Sequence, residues 1–263
     1  MVNLLVAAAI AAATPSLAPP LTPEPAMFEV HDADTTIYLF GTFHALDGDP
    51  RWFDHGVKAA FDQSNELILE TIIPETPIAP QQLGHGIRPP SVTPGASFLA
   101  TTRMAINAGR SQGMQVSNGA DMVLRQVAEA SGKPVLGLET LEFQMNMFNR
   151  MPASATPAAA AKAGPSSEQP MQSLSKTMSE MQSAWKRGDQ TVFVRLLDQL
   201  RASSPDTYRM MFTDRNARWA DWIAARMQTP GTVFVAVGAG HLAGTDSVLV
   251  RLAEKGINSQ RVY

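Results

Sequence analysis

TIYLFGTFHALDGD, residues 36–49, decides how the chain folds, and TVFVAVGAGHLAGTD, residues 232–246, repeats its plan near the other end. Each opens on β-branched and aromatic residues, the composition of a buried strand. Each breaks at a glycine, Gly41 or Gly238, and three residues later carries a histidine, His44 or His241. A small-residue turn and an aspartate follow in both. A strand that stops at Gly-x-x-His sets its imidazole just past the carboxyl end, on a loop where the backbone can approach a ligand. One histidine after a glycine turn is commonly a surface residue. Two in matched settings, far apart in a chain with only five histidines, point to one shared site.

Working outward, Glu66–Glu70 (ELILE) and Pro134–Leu138 (PVLGL) are two more compact apolar runs, ending on Glu70 and just before Glu139. Phe28–Val30 and Thr36–Phe40, joined through Asp32–Asp34, read as a hairpin. Val233–Val237 is the last core strand, and Gln260–Tyr263 a closing one. Helical spacing marks Trp52–Gln63, Asp121–Ser131, Thr140–Arg150, Met171–Lys186, Gln190–Arg201, Asp206–Met227 and Asp246–Lys255. Ser97–Asn107 is a helix-like patch in a proline- and glycine-rich stretch, and Pro152–Pro170, rich in Ala, Pro and Ser, reads as a flexible loop. Strands alternate with helices at both ends. The fold class is therefore α/β: a mostly parallel sheet from the N- and C-terminal parts, covered by helices, with a helical middle (about 140–228) as an insertion or cap.

With 44% hydrophobic and 17% charged residues and a net charge of −3, the 263-residue chain has the make-up of a soluble globular protein. Residues 26–263 suit a single domain. Its lysines and arginines are scattered, which argues against a nucleic-acid partner. Leu4–Ala13 is apolar and alanine-rich, too short to span a membrane but suited to the hydrophobic part of a secretory signal within residues 1–20. No lysine or arginine precedes it. The expectation is a periplasmic or secreted mature chain without a membrane span. Cysteine is absent, so any metal must sit on His, Asp or Glu.

In open α/β sheets ligands collect beyond the carboxyl ends of the strands. Parallel pairing would bring His44, Glu70, Glu139 and His241 to one edge. The two imidazoles with one or two of these carboxylates are a sufficient ligand set for a divalent metal such as Mn, Co or Zn, which lowers the pKa of bound water and polarises a carbonyl. Glu139 would be a further ligand or a general base. A metal-free version uses a histidine as base and a glutamate to orient it. Arg215 and Asn216 lie in the polar run Thr213–Ala220. An inward Arg215 needs an anion, either a glutamate of the site or an oxyanion of the reaction. The chain has no His-Glu-x-x-His helix, no Gly-x-Ser-x-Gly elbow and no phosphate loop of the Walker type. Gly238-x-Gly240-x-x-x-Gly244 has one residue too many for a dinucleotide fingerprint.

Between Phe28 and Tyr263 the segments YLFGTFH, LILE, GLETLEFQ, AWKRGD, DRNARWADWI and VFVAVGAGHLAGTDSVLVRLAEKG occur in that order. The set resembles the TraB/GumN family, related to the TIKI proteins. The resemblance implies an α/β fold akin to the erythromycin-esterase-like and ChaN-like proteins. For the TIKI branch it implies metal-dependent proteolysis through the paired Gly-x-x-His motifs and an acidic residue. Carried onto this chain, it implies His44, His241 and Glu70 as metal site, Arg215 and Asn216 as the family's Arg-Asn pair, and Glu139 in its Leu-Glu-Thr stretch with Gln144 following. There are two departures. Gly119-Ala120-Asp121 stands where the family usually has Gly-Val-Asp, and Pro152–Pro170 stands where it tends to run as helix. The expected function is an exported metal-dependent hydrolase, a peptidase, with catalytic residues Glu70, Glu139, Arg215 and Asn216 and a peptide or small-molecule substrate. The alternative is a non-catalytic periplasmic binding or regulatory module for a peptide signal or a polysaccharide-assembly partner.

Overall fold

A side-chain-capped turn starts the sheet: Asp32 Oδ1 accepts from the amides of Asp34 (3.1 Å) and Thr35 (2.9 Å), folding β1 (Met27–His31) back on β2 (Thr35–Thr42). The computed structural model describes residues 24–73, 103–151 and 168–263. The leader-like segment and most of Pro152–Pro170 lie outside them. β5 (Gly231–Gly238) runs parallel to β2 with Thr42 opposite Gly238, so the two Gly-x-x-His motifs leave the sheet side by side. β3 (Glu66–Thr71) flanks β5, β4 (Val135–Glu139) flanks β3, and β6 (Gln260–Arg261) closes the far edge. The order is β4-β3-β5-β2-β1-β6, the first four parallel. Their carboxyl ends share one edge.

Strand side chains alternate between two faces, and each face has its own core. Phe40, Leu67, Leu69 and Phe234 pack with Val57 and Phe61 of α1 (His55–Gln63) and Leu124 of α3 (Ala120–Ala130). Trp185 of α5 (Glu168–Lys186) and Phe193 and Leu197 of α6 (Thr191–Ser203) complete that layer. Ile37, Leu39, Ile68, Val233, Val235 and Val237 face the other way, onto Trp219, Ala220 and Ile223 of α8 (Asp214–Arg226) and Val248 and Leu252 of α9 (Val248–Ala253). Central strands buried on both faces explain the continuous apolar runs. The helical middle thus supplies helices to both layers. α2 (103–110) and α4 (Leu141–Arg150, capped by Thr140) complete the helices used below, with α7 (Pro205–Tyr208) leading into α8. Among the described residues no helix is long and apolar enough to cross a membrane.

Several boundaries differ from the sequence reading, for local reasons. Trp52–Gln63 is two pieces, because Pro50–Trp52 makes a short 3-10 turn and Asp54 caps the start of α1 at His55. Helix α9 begins only at Val248, capped by Ser247, and leaves Asp246 free of the helix. Helix α5 reaches back to Glu168 and takes Pro170 into its first turn, where a missing N–H costs little. The patch expected over Ser97–Asn107 is helical from 103 and extends to 110; its first residues lie outside the described ones. Asp206–Met227 is not one regular helix. Between α7 and α8, residues Arg209–Thr213 form a π-turn in which the Asp214 amide bonds to the Arg209 carbonyl five residues back.

Candidate functional site

The carboxyl edge of the sheet delivers Glu70 from β3, Glu139 from β4, His44 just after β2, and His241 on the short turn Ala239–Leu242 after β5. Helix α8 runs beneath and sends Arg215 up among them. The Arg215 side chain is only 4% exposed, and a guanidinium that deep demands anions. It has them: Nε donates to both oxygens of Glu139 (3.1 and 2.9 Å) and Nη2 to Glu70 Oε2 (2.7 Å). Nη1 donates to the Met211 carbonyl (3.3 Å) and faces His241 Nε2 at 3.2 Å, while the Trp219 ring lies 4.5 Å from the guanidinium carbon. Of the five guanidinium N–H groups, one on Nη2 is left over. Arg218, one turn further along α8, donates Nη2 to Glu139 Oε1 (3.1 Å).

His241 is held in one state by its neighbours. Its Nδ1 lies 2.6 Å from Asn216 Oδ1, and the Asn216 amide is oriented by donating Nδ2 to the Asp246 carbonyl (2.7 Å). An oxygen facing Nδ1 requires the proton there, so Nε2 presents a bare lone pair to Arg215. Burial, with the Arg215 charge beside the ring, lowers the imidazole's pKa to about 3 against the pull of Glu70. Rings of Trp219 (4.4 Å between centroids) and Phe212 (4.8 Å) close over it. Burial alone would raise Glu70. His241 in its charged form, then Arg215 and His44, and the Gly238 amide donating to Oε1 (2.7 Å) take it down to about 2.

His44 differs. Its Nδ1 forms an ion-pair contact with Asp121 Oδ1 at 3.2 Å, at the start of α3, and its side chain is 61% exposed. Desolvation disfavours the charged ring, but the Asp121 carboxylate outweighs it, with Glu70 behind, and the pKa rises above its ordinary value. Water at the exposed edge screens part of that pull. What joins the two halves of the site is Gly238. A Cβ built there would lie 3.1 Å from Glu70 Oε1, 3.4 Å from His44 Nε2 and 3.7 Å from His241 Cδ2. All three side chains converge on the space a side chain would fill. Nearby, Thr42 at the end of β2 and Thr71 at the end of β3 bury hydroxyls with no hydrogen-bond partner.

The sequence-predicted residues are thus brought to one edge, with relations the sequence did not disclose. Glu139, expected as a ligand or base, has both oxygens engaged by arginines. Asn216 stands behind His241 rather than in the open site. The side chain of Gln144 makes no hydrogen bond among the described residues, and that of Glu70 is 14% exposed. For a metal, the test is whether three donors face one point. Arg215 already meets His241 Nε2 and Glu70 Oε2, and Gly238 meets Oε1. As placed, the described His, Asp and Glu residues form no group of three that could hold an ion. Three participants were missed: Asp121, Arg218 and the Gly238 amide. Arg218 had a signal, its i+3 spacing from Arg215 on one helix face. Asp121 stood in the Gly-Ala-Asp stretch already quoted.

A mostly parallel six-stranded sheet covered by helices defines the α/β class, with ionisable groups clustered beyond the carboxyl ends of its parallel strands. Within that class the chain belongs to the TraB/PrgY/gumN family, whose model matches residues 26–93 and 81–261. No curated protein and no solved structure matches it.

Proposed function

We propose that this chain is a hydrolase acting on the carbonyl of a peptide or related acyl compound. The observation that carries this reading is the convergence of Glu70 Oε1, His44 Nε2 and His241 Cδ2 to 3.1, 3.4 and 3.7 Å of the place a Cβ on Gly238 would take, beside a buried guanidinium. Clustering of this kind is expensive for a fold and is typical of reaction centres. Its chemistry follows from the donors and acceptors. A water in that space is polarised by Glu70 and gives a proton to the neutral form of His44, which Asp121 orients from behind. Its oxygen attacks the carbonyl carbon, and the resulting oxyanion faces the remaining N–H of Arg215. Collapse breaks the bond to the leaving amine, which takes the proton back from His44. The cation the reaction needs is Arg215, and the unpartnered hydroxyls of Thr42 and Thr71 suit a wet site. Because the pKa of His44 is raised, turnover should climb as pH rises through it.

A second reading keeps the divalent metal, Mn, Co or Zn, on His44, His241 and Glu70. One observation favours it: both imidazoles are tethered through Nδ1, to Asp121 and Asn216, which leaves both Nε2 atoms directed inward. The ion would supply a Lewis acid, and Arg215 would have to release its two partners. In either form the proposal places the chain in the periplasm or outside the cell, on the strength of the leader-like Leu4–Ala13.

The test is a mixed-sequence quenched-fluorescent peptide library, with the chain and its His44→Ala variant, in a chelator and then with Mn, Co or Zn salts, beside elemental analysis. Chelator-resistant cleavage lost in His44→Ala supports the Arg215-centred reaction. Cleavage that appears only with about one equivalent of bound metal supports the second reading. No cleavage from a folded chain in any condition overturns both in favour of a binding or regulatory module.

A further inference from the structure

We infer that Asp246 is a positioning residue that sets which nitrogen of His241 carries the proton. The aspartate closes the same motif that carries the histidine, five residues on, and reaches the ring by two routes. The first is polar. The Asp246 backbone carbonyl takes the Asn216 Nδ2 hydrogen at 2.7 Å, which turns Asn216 Oδ1 toward His241 Nδ1 at 2.6 Å. A side-chain amide has two faces that differ only in which end donates, and the carbonyl removes the choice. The second route is aromatic. Asp246 Oδ2 accepts from the Tyr208 hydroxyl at 3.1 Å, Tyr208 stacks on Phe212 with centroids 5.7 Å apart, and Phe212 lies 4.8 Å from the imidazole.

The Asp246 carboxylate is what keeps its own carbonyl in place. Arg251 Nη2 donates to Oδ1 at 2.6 Å, and Arg201 Nη1 stands 3.9 Å from Oδ2. Ionised acceptors with such partners are worth more than neutral ones and resist displacement. The preceding Gly244 adopts a left-handed conformation (φ 80°), so the backbone reaches Asp246 by a tight turn with little slack. With the proton on Nδ1, His241 Nε2 can only accept, which is what Arg215 Nη1 at 3.2 Å requires. The other tautomer would aim an N–H at a guanidinium N–H and leave Asn216 Oδ1 without a donor. Asp246 therefore acts through Asn216 and Phe212 and touches no reacting atom.

The inference rests on the proposed site only in taking His241 Nε2 as an acceptor there. Its test reads no turnover, so the two can fail separately. A long-range 1H–15N spectrum of the uniformly 15N-labelled chain distinguishes protonated Nδ1 from protonated Nε2 at His241. The wild type should show Nδ1–H with a bare Nε2. Asp246→Ala should admit the other tautomer, shifting the ratio by roughly tenfold, the factor expected for loss of one charge-assisted hydrogen bond. Asp246→Asn, which keeps a side-chain acceptor for Tyr208, should shift it less. A wild type protonated on Nε2 overturns the inference, as does a folded Asp246→Ala with an unchanged ratio. Should Asp246→Ala fail to fold by circular dichroism, Tyr208→Phe, which removes one hydroxyl, carries the same test: a shifted ratio supports the role and an unchanged one sinks it.

Discussion

His44 and His241 each stand three residues past a glycine at or next to a strand's end, yet they live in opposite surroundings. The His44 side chain is 61% exposed and faces the Asp121 carboxylate, so its charged form is favoured. The His241 side chain is 6% exposed, lies between Trp219 and Phe212, and abuts Arg215, so its charged form is suppressed. One motif has produced an exposed imidazole whose charged form is favoured and a buried one whose charged form is suppressed. The difference comes from what packs against each loop: the start of α3 for His44, and α8 with its preceding turn for His241. Two copies of one short pattern can therefore take different roles, and the division of labour is written in the helices that cover them.

The contrast is broken most completely by Arg215→Ala. Glu70 and Glu139 would then share a buried edge with little compensation, and the loss should be about 3–5 kcal/mol. Urea unfolding measures it. A loss of a few tenths would mean the carboxylates reach water and the buried network is not what holds α8 to the sheet edge. Next, the two histidines can be deleted in turn. His241→Ala removes a ring packed on both faces and should cost roughly 3 kcal/mol. His44→Ala should stay within about 0.5 kcal/mol, as surface changes do. Equal costs in the same unfolding assay would erase the contrast.

Acid sharpens it. A His whose folded pKa is depressed contributes stability that is complete above its unfolded value near 6.5 and fades as pH falls toward about 3. Glu70, depressed to about 2, adds a loss that starts only below about 4.5. Unfolding free energy should therefore fall between pH 6.5 and 4.5 with a slope approaching about 1.4 kcal/mol per pH unit for one proton. His241→Gln should flatten that limb. An unchanged slope in the variant would show that His241 is charged in the folded chain. The smallest effect belongs to Thr42→Val. Its hydroxyl is buried without a partner, so the near-isosteric change should move stability by less than about 1 kcal/mol in either direction. Any larger loss, read by the urea midpoint, would mean the hydroxyl is bonded in solution.

Much of the scaffold was legible because each central strand announces itself twice, by an apolar run and by the polar residue that ends it. ELILE and PVLGL needed no context to be read as strands, and the edge they share placed Glu70 and Glu139 together. Arg215 was legible only in part: the apolar neighbours set its helix against the core and an inward guanidinium needs carboxylates, but spacing alone left an exposed helix arginine equally open. What spacing could not disclose is which lone pair meets which donor. Spacing left open what His241 Nε2 and Glu70 each face. Only the packing of α8 shows Arg215 standing between them. Asp121 was unreadable for a similar reason, because its pairing with His44 depends on where α3 begins against the β2 loop. The α9 start was misjudged because Asp246 and Ser247 are both good caps, and only tertiary contacts decide between them.

The π-turn at Arg209–Thr213 makes chain length, rather than composition, the vulnerable property of this segment. It works as a phase shifter between α7 and α8. Excising one residue would restore ordinary helical pitch and rotate everything downstream by about 100° about the axis. Arg215 and Asn216 would swing off the sheet edge, and Trp219 and Ile223 would leave the apolar layer with them. Point changes at half-buried Met210 or Met211 leave the phase alone, so the segment should tolerate substitution far better than a single-residue insertion or deletion.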